Sequence, residues 1–179
     1  VPAAFGQTFA PGLVSLFLLR FAKEALGLEP LALGGLLVLG GGAAFLLLPF
    51  TGRLVDRRGY QAALVLGLFL LALVMARLGT GPHPYELPAA ALLGGLGFSL
   101  FLPGWNGLLA KNLPQENRAA IWGSLMTVEG LGLALGPVAG GLLWEAFGLP
   151  APFLAGSGIF LALSLFYLLL FRVRKLWRR

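Results

Sequence analysis

Long apolar runs alternate with short polar connections along this chain. Three of the runs, residues 31–50, 87–110 and 146–171, contain no Asp, Glu, Lys or Arg. Each run is long enough to cross about 30 Å of hydrocarbon as an α-helix, which takes about 20 residues. Because a soluble domain has no place for so much apolar surface, the pattern predicts an integral membrane protein.

The breaks between the runs predict six membrane-spanning helices. Backbone groups in lipid must be hydrogen-bonded within the segment, so helices are the expected state. The first helix is interrupted at Pro11-Gly12, and residues 172–179 form a basic tail after the last one. We expect a single all-α transmembrane domain over residues 1–179, with helices at about residues 4–22, 31–51, 61–78, 87–110, 119–147 and 151–171.

Composition supports a membrane protein and argues against a nucleic-acid partner. Hydrophobic residues make up 58% of the chain and charged residues 11%, against roughly 45–50% and about 25% in soluble domains. The net charge of +6 comes from basic residues in connections and the tail, which form no basic face with interleaved aromatics. Cysteine is absent, so no disulfide or thiolate metal site is expected. The chain starts at valine, and we expect it to be a piece of a longer protein.

The distribution of Lys and Arg predicts the orientation. If both ends lie on one side, only Arg20, Lys23 and Arg77 fall on the other side. Cytoplasmic connections carry the excess of Lys and Arg, so we expect both ends in the cytoplasm, with the protein in a bacterial inner membrane. The residues on the basic side are Arg53, Arg57, Arg58, Lys111, Arg118, Arg172, Arg174, Lys175, Arg178 and Arg179.

A short sequence pattern, Pro-x-x-Gly, is repeated in the two groups of three helices. The second helix ends with Pro49-Phe-Thr-Gly52, and the fifth contains Pro137-Val-Ala-Gly140. Because three is an odd number, the two groups run in opposite directions, as an inverted three-plus-three repeat requires. Chance in a chain rich in Gly and Pro is the alternative explanation.

The connection after the second helix holds a compact set of glycine and charged residues. It reads Gly52-Arg-Leu-Val-Asp56-Arg57-Arg58-Gly59. Glycine permits turns and close helix approach. Asp56 can pair with a base or cap a neighbouring helix N-terminus. The alternative interpretation is that this segment is only a basic connection containing a simple turn.

The fifth predicted helix carries glycines at fixed spacing. Gly132, Gly136 and Gly140 recur every four residues, which places them on one helix face and predicts close packing. Pro137 removes a backbone hydrogen bond and favours a bend. Ordinary helix packing without a transport role is the alternative. The full set is Gly123, Gly132, Gly136, Pro137, Gly140 and Gly141.

Together, these two segments resemble motifs of the major facilitator superfamily. The connection is similar to the family pattern Gly-x-x-x-Asp-Arg/Lys-x-Gly, matched by Gly52, Asp56, Arg57 and Gly59. The glycine-proline segment resembles that of the drug/proton antiporters. The resemblance implies one six-helix half of a twelve-helix transporter. It also implies as partners the bilayer, the other half, a small-molecule substrate and protons, with no cofactor.

The resemblance leaves open which half the chain represents. Tyr60 and Gln61 replace two basic residues of the family's connection motif, and residues 87–110 lack the Arg that is common in the fourth helix of first halves. Both departures favour the C-terminal half. The complete glycine-proline segment, best known from the fifth helix, favours the N-terminal half.

Glu129 is the one acid deep inside a predicted helix. It lies about 15 Å from the helix start, and an intramembrane carboxyl marks a functional site by default. Because Glu129 shares a face with Gly132, it is either a proton carrier or a hydrogen-bond donor to a neighbouring helix. In the superfamily, the first and fourth helices of each half line the central cavity. The polar candidates for a substrate site are therefore Gln7, Thr8, Ser15, Ser99 and Asn106.

No enzyme or metal-site signature occurs in the sequence. The metalloprotease, nucleophile-elbow and phosphate-loop patterns are absent, and the single histidine, His83, has no partner at ligand spacing. The sequence therefore favours secondary active transport by alternating access, with proton-coupled efflux implied by the resemblance. A non-transporting membrane scaffold or assembly subunit is the alternative.

Overall fold

The computed structural model describes residues 2–113 and 116–176, and seven α-helices form there. No β-strand occurs among these residues, which confirms the predicted all-α class. A short 3-10 turn, Pro84–Glu86, leads into the fifth helix. The helices are α1 (Pro2–Ser15), α2 (Leu18–Leu26), α3 (Pro30–Arg58), α4 (Tyr60–Gly79), α5 (Leu87–Asn112), α6 (Arg118–Phe147) and α7 (Ala151–Leu176).

Five of these helices, α3 to α7, are long and apolar enough to cross a membrane. A sixth span results if α1 and α2, which meet at an angle of 46°, are taken as one broken span. This criterion rests on length and composition. The α7 helix continues beyond residue 171 into the predicted basic tail, and residues 177–179 lie outside the described residues.

The bend in the first span lies at Leu16 and Phe17, beyond the predicted break at Pro11-Gly12. The helix continues through Pro11 because a proline removes only one intrahelical N–H, and Gly12 packs tightly on α6. The N–H of Phe17 bonds to the carbonyl of Val14 at 3.1 Å, a tighter turn that redirects the chain. Gly27, with φ of 63°, then ends α2 in the left-handed conformation that glycine tolerates.

The helix pairing follows the predicted inverted repeat. The closely packed pairs are α1 with α6, α3 with α5, α4 with α5, α1 with α7, and α4 with α7. In an inverted repeat, the first span corresponds to α5, α3 to α6, and α4 to α7. Under this correspondence, each closely packed pair matches a pair in the same set. The core lies where α4 meets α5 and α7.

Glycines allow the two repeat-related crossings to bring backbones together. Where α1 crosses α6, a methyl group added to Gly136 would lie 2.6 Å from the backbone of Gly12. Where α3 crosses α5, a methyl group on Gly40 would lie 2.8 Å from the carbonyl oxygen of Ala91. Real side-chain carbons do not approach backbone so closely, so larger residues would force both crossings apart.

The two ends of the bundle differ in charge. The end that carries Arg57, Arg58 and Lys111 is called the basic end below. At the opposite end, Arg77 in the last turn of α4 forms a 2.6 Å ion pair with Glu86, just before α5. This pair ties the connection between α4 and α5.

Candidate functional site

Glu129 lies at a junction of three helices. The Nε2 group of Gln7 on α1 donates a 2.7 Å hydrogen bond to Oε1 of Glu129. The indole Nε1 group of Trp105 on α5 donates to the same oxygen at 3.1 Å. Gln7 and Trp105 are buried, and Glu129 is half-buried. These three residues are called the carboxyl cluster.

The two oxygens of Glu129 have different surroundings. Both hydrogen bonds end on Oε1, and an indole N–H can only donate, so Glu129 is the acceptor in this cluster. No described donor contacts Oε2. Across residues 2–113 and 116–176, no fully buried polar side-chain atom lacks a hydrogen-bond partner. The Oε2 atom is therefore not fully buried within this chain.

The carboxyl cluster includes a hydrogen bond between α5 and α6, two helices that approach each other little. Over their described residues, α5 and α6 do not pack against each other along their lengths. The Trp105 side chain reaches across this gap to Glu129, which lies about three turns, or roughly 16 Å, along α6 from Arg118. The cluster therefore lies inside the membrane-spanning region, on the side of the basic end.

The glycine face of α6 positions Glu129 against α1. Gly132 abuts Thr8 and the backbone of Phe5, while Gly136 abuts Gly12. The same stripe continues at Gly140, which packs on the backbone of Leu13. Because this contact leaves no room for a side chain, it fixes how far Gln7 lies from Glu129.

The other residues of the predicted glycine motif lie elsewhere on α6. Gly123 is exposed and would have open space around an added methyl group. A methyl group added to Gly141 would lie 3.4 Å from the ring of Phe17. Pro137 follows Gly136 within the helix. The motif therefore divides into a packed stripe and positions outside it.

The structure brings only Gln7, among the predicted polar candidates, to Glu129. Thr8 and Ser15 bond to carbonyl groups of their own helix, and Ser15 is exposed. Ser99 is fully buried, and its carbonyl accepts a 2.7 Å bond from Thr51 on α3. Asn106 is exposed. Ser99 and Asn106 therefore do not share one surface, although they are seven residues apart.

Sequence reasoning missed Trp105. A tryptophan in the middle of an apolar run carries an N–H that needs an acceptor when it is buried. Glu129 is the one acid deep inside a predicted helix, so the need for an acceptor was the available signal for pairing the two residues.

The connection motif forms the turn between α3 and α4. Gly59 has φ of 88°, a conformation that favours glycine, and its N–H bonds to the carbonyl of Val55 at 2.8 Å. Asp56 and Arg57 are exposed. Neither forms an ion pair within the described part of the chain, and α4 has no side-chain cap. Gly52 is half-buried, with open space around an added methyl group.

A cavity of about 620 Å³ lies between α2, α3, α4 and α5, toward the end opposite the basic end. Its walls consist only of Leu, Phe, Ala, Val and Gly residues, including Phe21 on α2, Gly41 on α3, Val74 on α4 and Phe98 on α5. Ligand pockets of this size normally carry a few placed polar groups. The cavity is open to the surface of the chain, since Leu37, Phe45 and Phe98 in its lining are exposed.

The described residues contain no cluster of three or more His, Asp or Glu side chains able to hold a metal ion.

Comparison with known proteins places the whole chain in one family. The family model described as Major Facilitator Superfamily matches residues 1–178. The chain is 28% identical over 153 residues to "Proton-coupled antiporter flippase LtaA" of Staphylococcus epidermidis, covering 83% of this chain and 38% of that protein. It is 37% identical over 119 residues to "Multidrug resistance protein MdtG" of Salmonella arizonae, covering 65% of this chain and 29% of that protein.

The chain spans less than two fifths of the length of these relatives. The family match nevertheless extends over nearly every residue of the chain, and it agrees with the resemblance seen in the two sequence motifs. The chain therefore belongs to the major facilitator superfamily.

Proposed function

We propose that this chain is a six-helix unit of a secondary active transporter that exports small amphiphilic molecules in exchange for protons. The unit works with a second six-helix unit, and substrate binds between the two and is exposed alternately to each side of the membrane. Family membership supports transport. The names of the relatives, a proton-coupled antiporter and a multidrug resistance protein, support proton coupling and efflux.

The observation that carries the proposal is the carboxyl of Glu129 within the membrane-spanning region. Its Oε1 atom accepts bonds from Gln7 and Trp105, while Oε2 has no described partner. Hydrogen bonds to a charged acceptor are worth about 1.5–3 kcal/mol each, more than bonds to a neutral one. Gaining a proton at Oε2 therefore weakens the attachment of Glu129 to α1 and α5, which gives proton binding a structural consequence.

The surface of the unit supports a second six-helix unit as partner. The least buried membrane-spanning helices are α3 and α6, which are related by the inverted repeat. Their open faces carry glycines with no neighbour within 4 Å of an added methyl group, including Gly34 and Gly42 on α3 and Gly130 on α6. Small residues at a helix surface allow another helix to approach closely in a membrane.

The cavity supports an amphiphilic substrate. It takes an apolar group because its walls offer no hydrogen-bond donor or acceptor side chain, and an unpaired polar group there would be costly. The polar part of such a molecule would remain outside the cavity. The exposed Asn106 and the half-buried Glu129 are polar groups that lie toward the basic end.

The basic end faces the cytoplasm in this proposal, in a bacterial inner membrane. Arg57, Arg58 and Lys111 lie there, and short connections rich in Lys and Arg stay on the cytoplasmic side. Both ends of the chain then face inward, and the cavity lies toward the outer face.

Transport in proteoliposomes that contain this unit together with the second six-helix unit tests the proposal. Ethidium, an amphiphilic aromatic cation, and the uncharged dye N-phenyl-1-naphthylamine serve as probes, and an imposed pH gradient serves as the driving force. We expect the gradient to drive at least one probe against its own concentration gradient, and a protonophore to abolish this movement. Correctly inserted protein that moves neither probe under any gradient would favour a non-transporting membrane scaffold.

A further inference from the structure

The apolar cavity extends over the depth of one leaflet of the membrane. Its wall on α5 runs from Leu87 to Phe98, a length of about 16 Å along the helix. Half of a hydrocarbon core is about 15 Å thick. Because Leu87 is the first residue of α5, at the end of the bundle opposite the basic end, the cavity reaches from that end to about the middle of the membrane.

The opening of the cavity lies within the membrane-spanning region. Leu37 and Phe45 on α3 and Phe98 on α5 line the cavity and are exposed. The walls offer no side-chain donor or acceptor, so a polar group inside would remain unpaired. The most abundant molecules in a membrane are phospholipids, and their acyl chains need no hydrogen-bond partner. The opening therefore suits an acyl chain.

The α2 helix places a basic residue beside the apolar wall. Phe21, Ala22 and Leu26 line the cavity. Lys23 lies three residues before Leu26, so the two residues are neighbours on the helix surface. Lys23 is exposed and forms no ion pair within the described part of the chain. An apolar face beside a basic one is typical of a helix at the level of the lipid headgroups.

The other basic residues at this end of the bundle are already paired with acids. Arg20 forms a 2.7 Å ion pair with Glu24 on the same helix. Arg77 forms a 2.6 Å ion pair with Glu86. Lys23 is therefore the basic side chain at this end, among the described residues, that is available to a phosphate group.

We propose that the cavity binds one acyl chain of a phospholipid from the leaflet opposite the basic end, and that Lys23 binds the phosphate group of the same molecule. The acyl chain fills the apolar space between α2, α3, α4 and α5, while the phosphate stays at the membrane surface. In the proposed orientation this is the outer leaflet. The bound lipid is a component of the membrane, distinct from the exported molecule, and its site does not depend on proton exchange. The acyl chain and the apolar part of a substrate compete for the same space.

Photochemical labelling in lipid nanodiscs tests the site in a transporter that contains this unit together with the second six-helix unit. The probe is phosphatidylglycerol with a diazirine group in the middle of one acyl chain, and mass spectrometry identifies the labelled residues after illumination. We expect Phe98 and Leu48, which line the cavity, to be labelled severalfold more than Val38, an exposed residue of α3 outside the cavity.

Matched variants separate the cavity from the surrounding lipid surface. Gly41→Leu fills the cavity and should lower the labelling of Phe98 severalfold, whereas Gly35→Leu, outside the cavity on the same helix, should leave it unchanged. An added Cβ atom meets no other atom within 4 Å at either position. Equal labelling of Phe98 and Val38, or equal labelling of Phe98 in the two variants, would overturn the acyl-chain site.

Substitutions at the membrane surface test the headgroup contact. Lys23→Gln should lower the labelling of Phe98 by about fivefold, the usual effect of one basic residue on binding to anionic lipid, and Lys23→Arg should preserve it. Glu29→Gln removes an exposed acid just before α3 and should give labelling equal to or stronger than that of the unmodified protein. Unchanged labelling in Lys23→Gln would overturn the role of Lys23, even if transport were intact.

Discussion

The indole nitrogen of Trp105 lies 3.1 Å from Oε1 of Glu129, across a gap between two helices that do not otherwise pack along their lengths. Because Gln7 shares the same oxygen, α1, α5 and α6 meet at one carboxyl group. An isolated buried carboxylate would be costly in a membrane. Two donors on one oxygen reduce that cost, and no described donor contacts the second oxygen.

The first prediction concerns the glycine stripe. Gly136→Ala should destabilise the fold by about 1–3 kcal/mol, the usual cost of overpacking, because the new methyl group would meet the backbone of Gly12 at 2.6 Å. Gly130→Ala on the same helix is the matched control, since a methyl group there meets no atom within 4 Å. Thermal unfolding in detergent measures both. Equal unfolding temperatures for the two variants would contradict the close contact between α1 and α6.

The second prediction concerns the cavity. Gly41→Leu should lose most binding of N-phenyl-1-naphthylamine because its side chain fills the apolar space. Gly35→Leu, on the same helix but outside the cavity, should bind as the unmodified protein does, since an added Cβ atom meets no other atom within 4 Å at either position. Dye fluorescence during titration gives both affinities. Loss of binding in both variants would show that any large side chain on α3 blocks dye binding. Unchanged binding in both variants would show that the dye does not bind in the cavity.

The third prediction concerns Asp56. It is exposed and has no ion-pair partner in the described part of the chain, so we expect its partner to be a base or a helix N-terminus of the second six-helix unit. Asp56→Asn should lower the transport rate severalfold while leaving insertion into the membrane unchanged. Glu116→Gln, an exposed acid on the next connection at the basic end, should transport normally. Normal rates in Asp56→Asn would remove its proposed role.

The fourth prediction concerns orientation. The chain contains no cysteine, so single cysteines can be introduced without a background signal from this sequence. Arg58→Cys, Glu116→Cys and Arg178→Cys should resist a membrane-impermeant thiol reagent in intact cells, whereas His83→Cys should react. All four should react after the cells are opened. Labelling of any of the first three from outside would overturn the cytoplasmic location of the basic end.

The sequence was most informative about features set by local periodicity. The four-residue spacing of Gly132, Gly136 and Gly140 predicted one packed face, because helical geometry alone determines which residues share a face. Which helix covers this face depends on the tertiary structure, and in the structure that helix is α1. For the same reason, the all-α class followed from the apolar runs, but the position of the bend at Leu16 and Phe17 did not.

The carboxyl cluster was only partly visible in the sequence. The position of Glu129 inside an apolar run marked it as unusual, and Gln7 was among the polar candidates. Their contact joins residues 122 positions apart, so it depends on how α1 crosses α6. Trp105 was missed because a tryptophan in an apolar segment is ordinarily interpreted as a packing residue. Its hydrogen-bond acceptor can be identified only when the positions of the helices are known.

Proton-driven transport by Glu129→Gln in proteoliposomes tests the central claim most directly. The amide oxygen of glutamine can accept the same two hydrogen bonds, so the fold and cavity should be preserved while the proton site is lost. We predict that Glu129→Gln loses transport driven by a pH gradient but still equilibrates substrate across the membrane. Glu145→Gln, an exposed acid on the same helix, should retain both activities. Gradient-driven transport by Glu129→Gln at the rate of the unmodified protein would contradict the account.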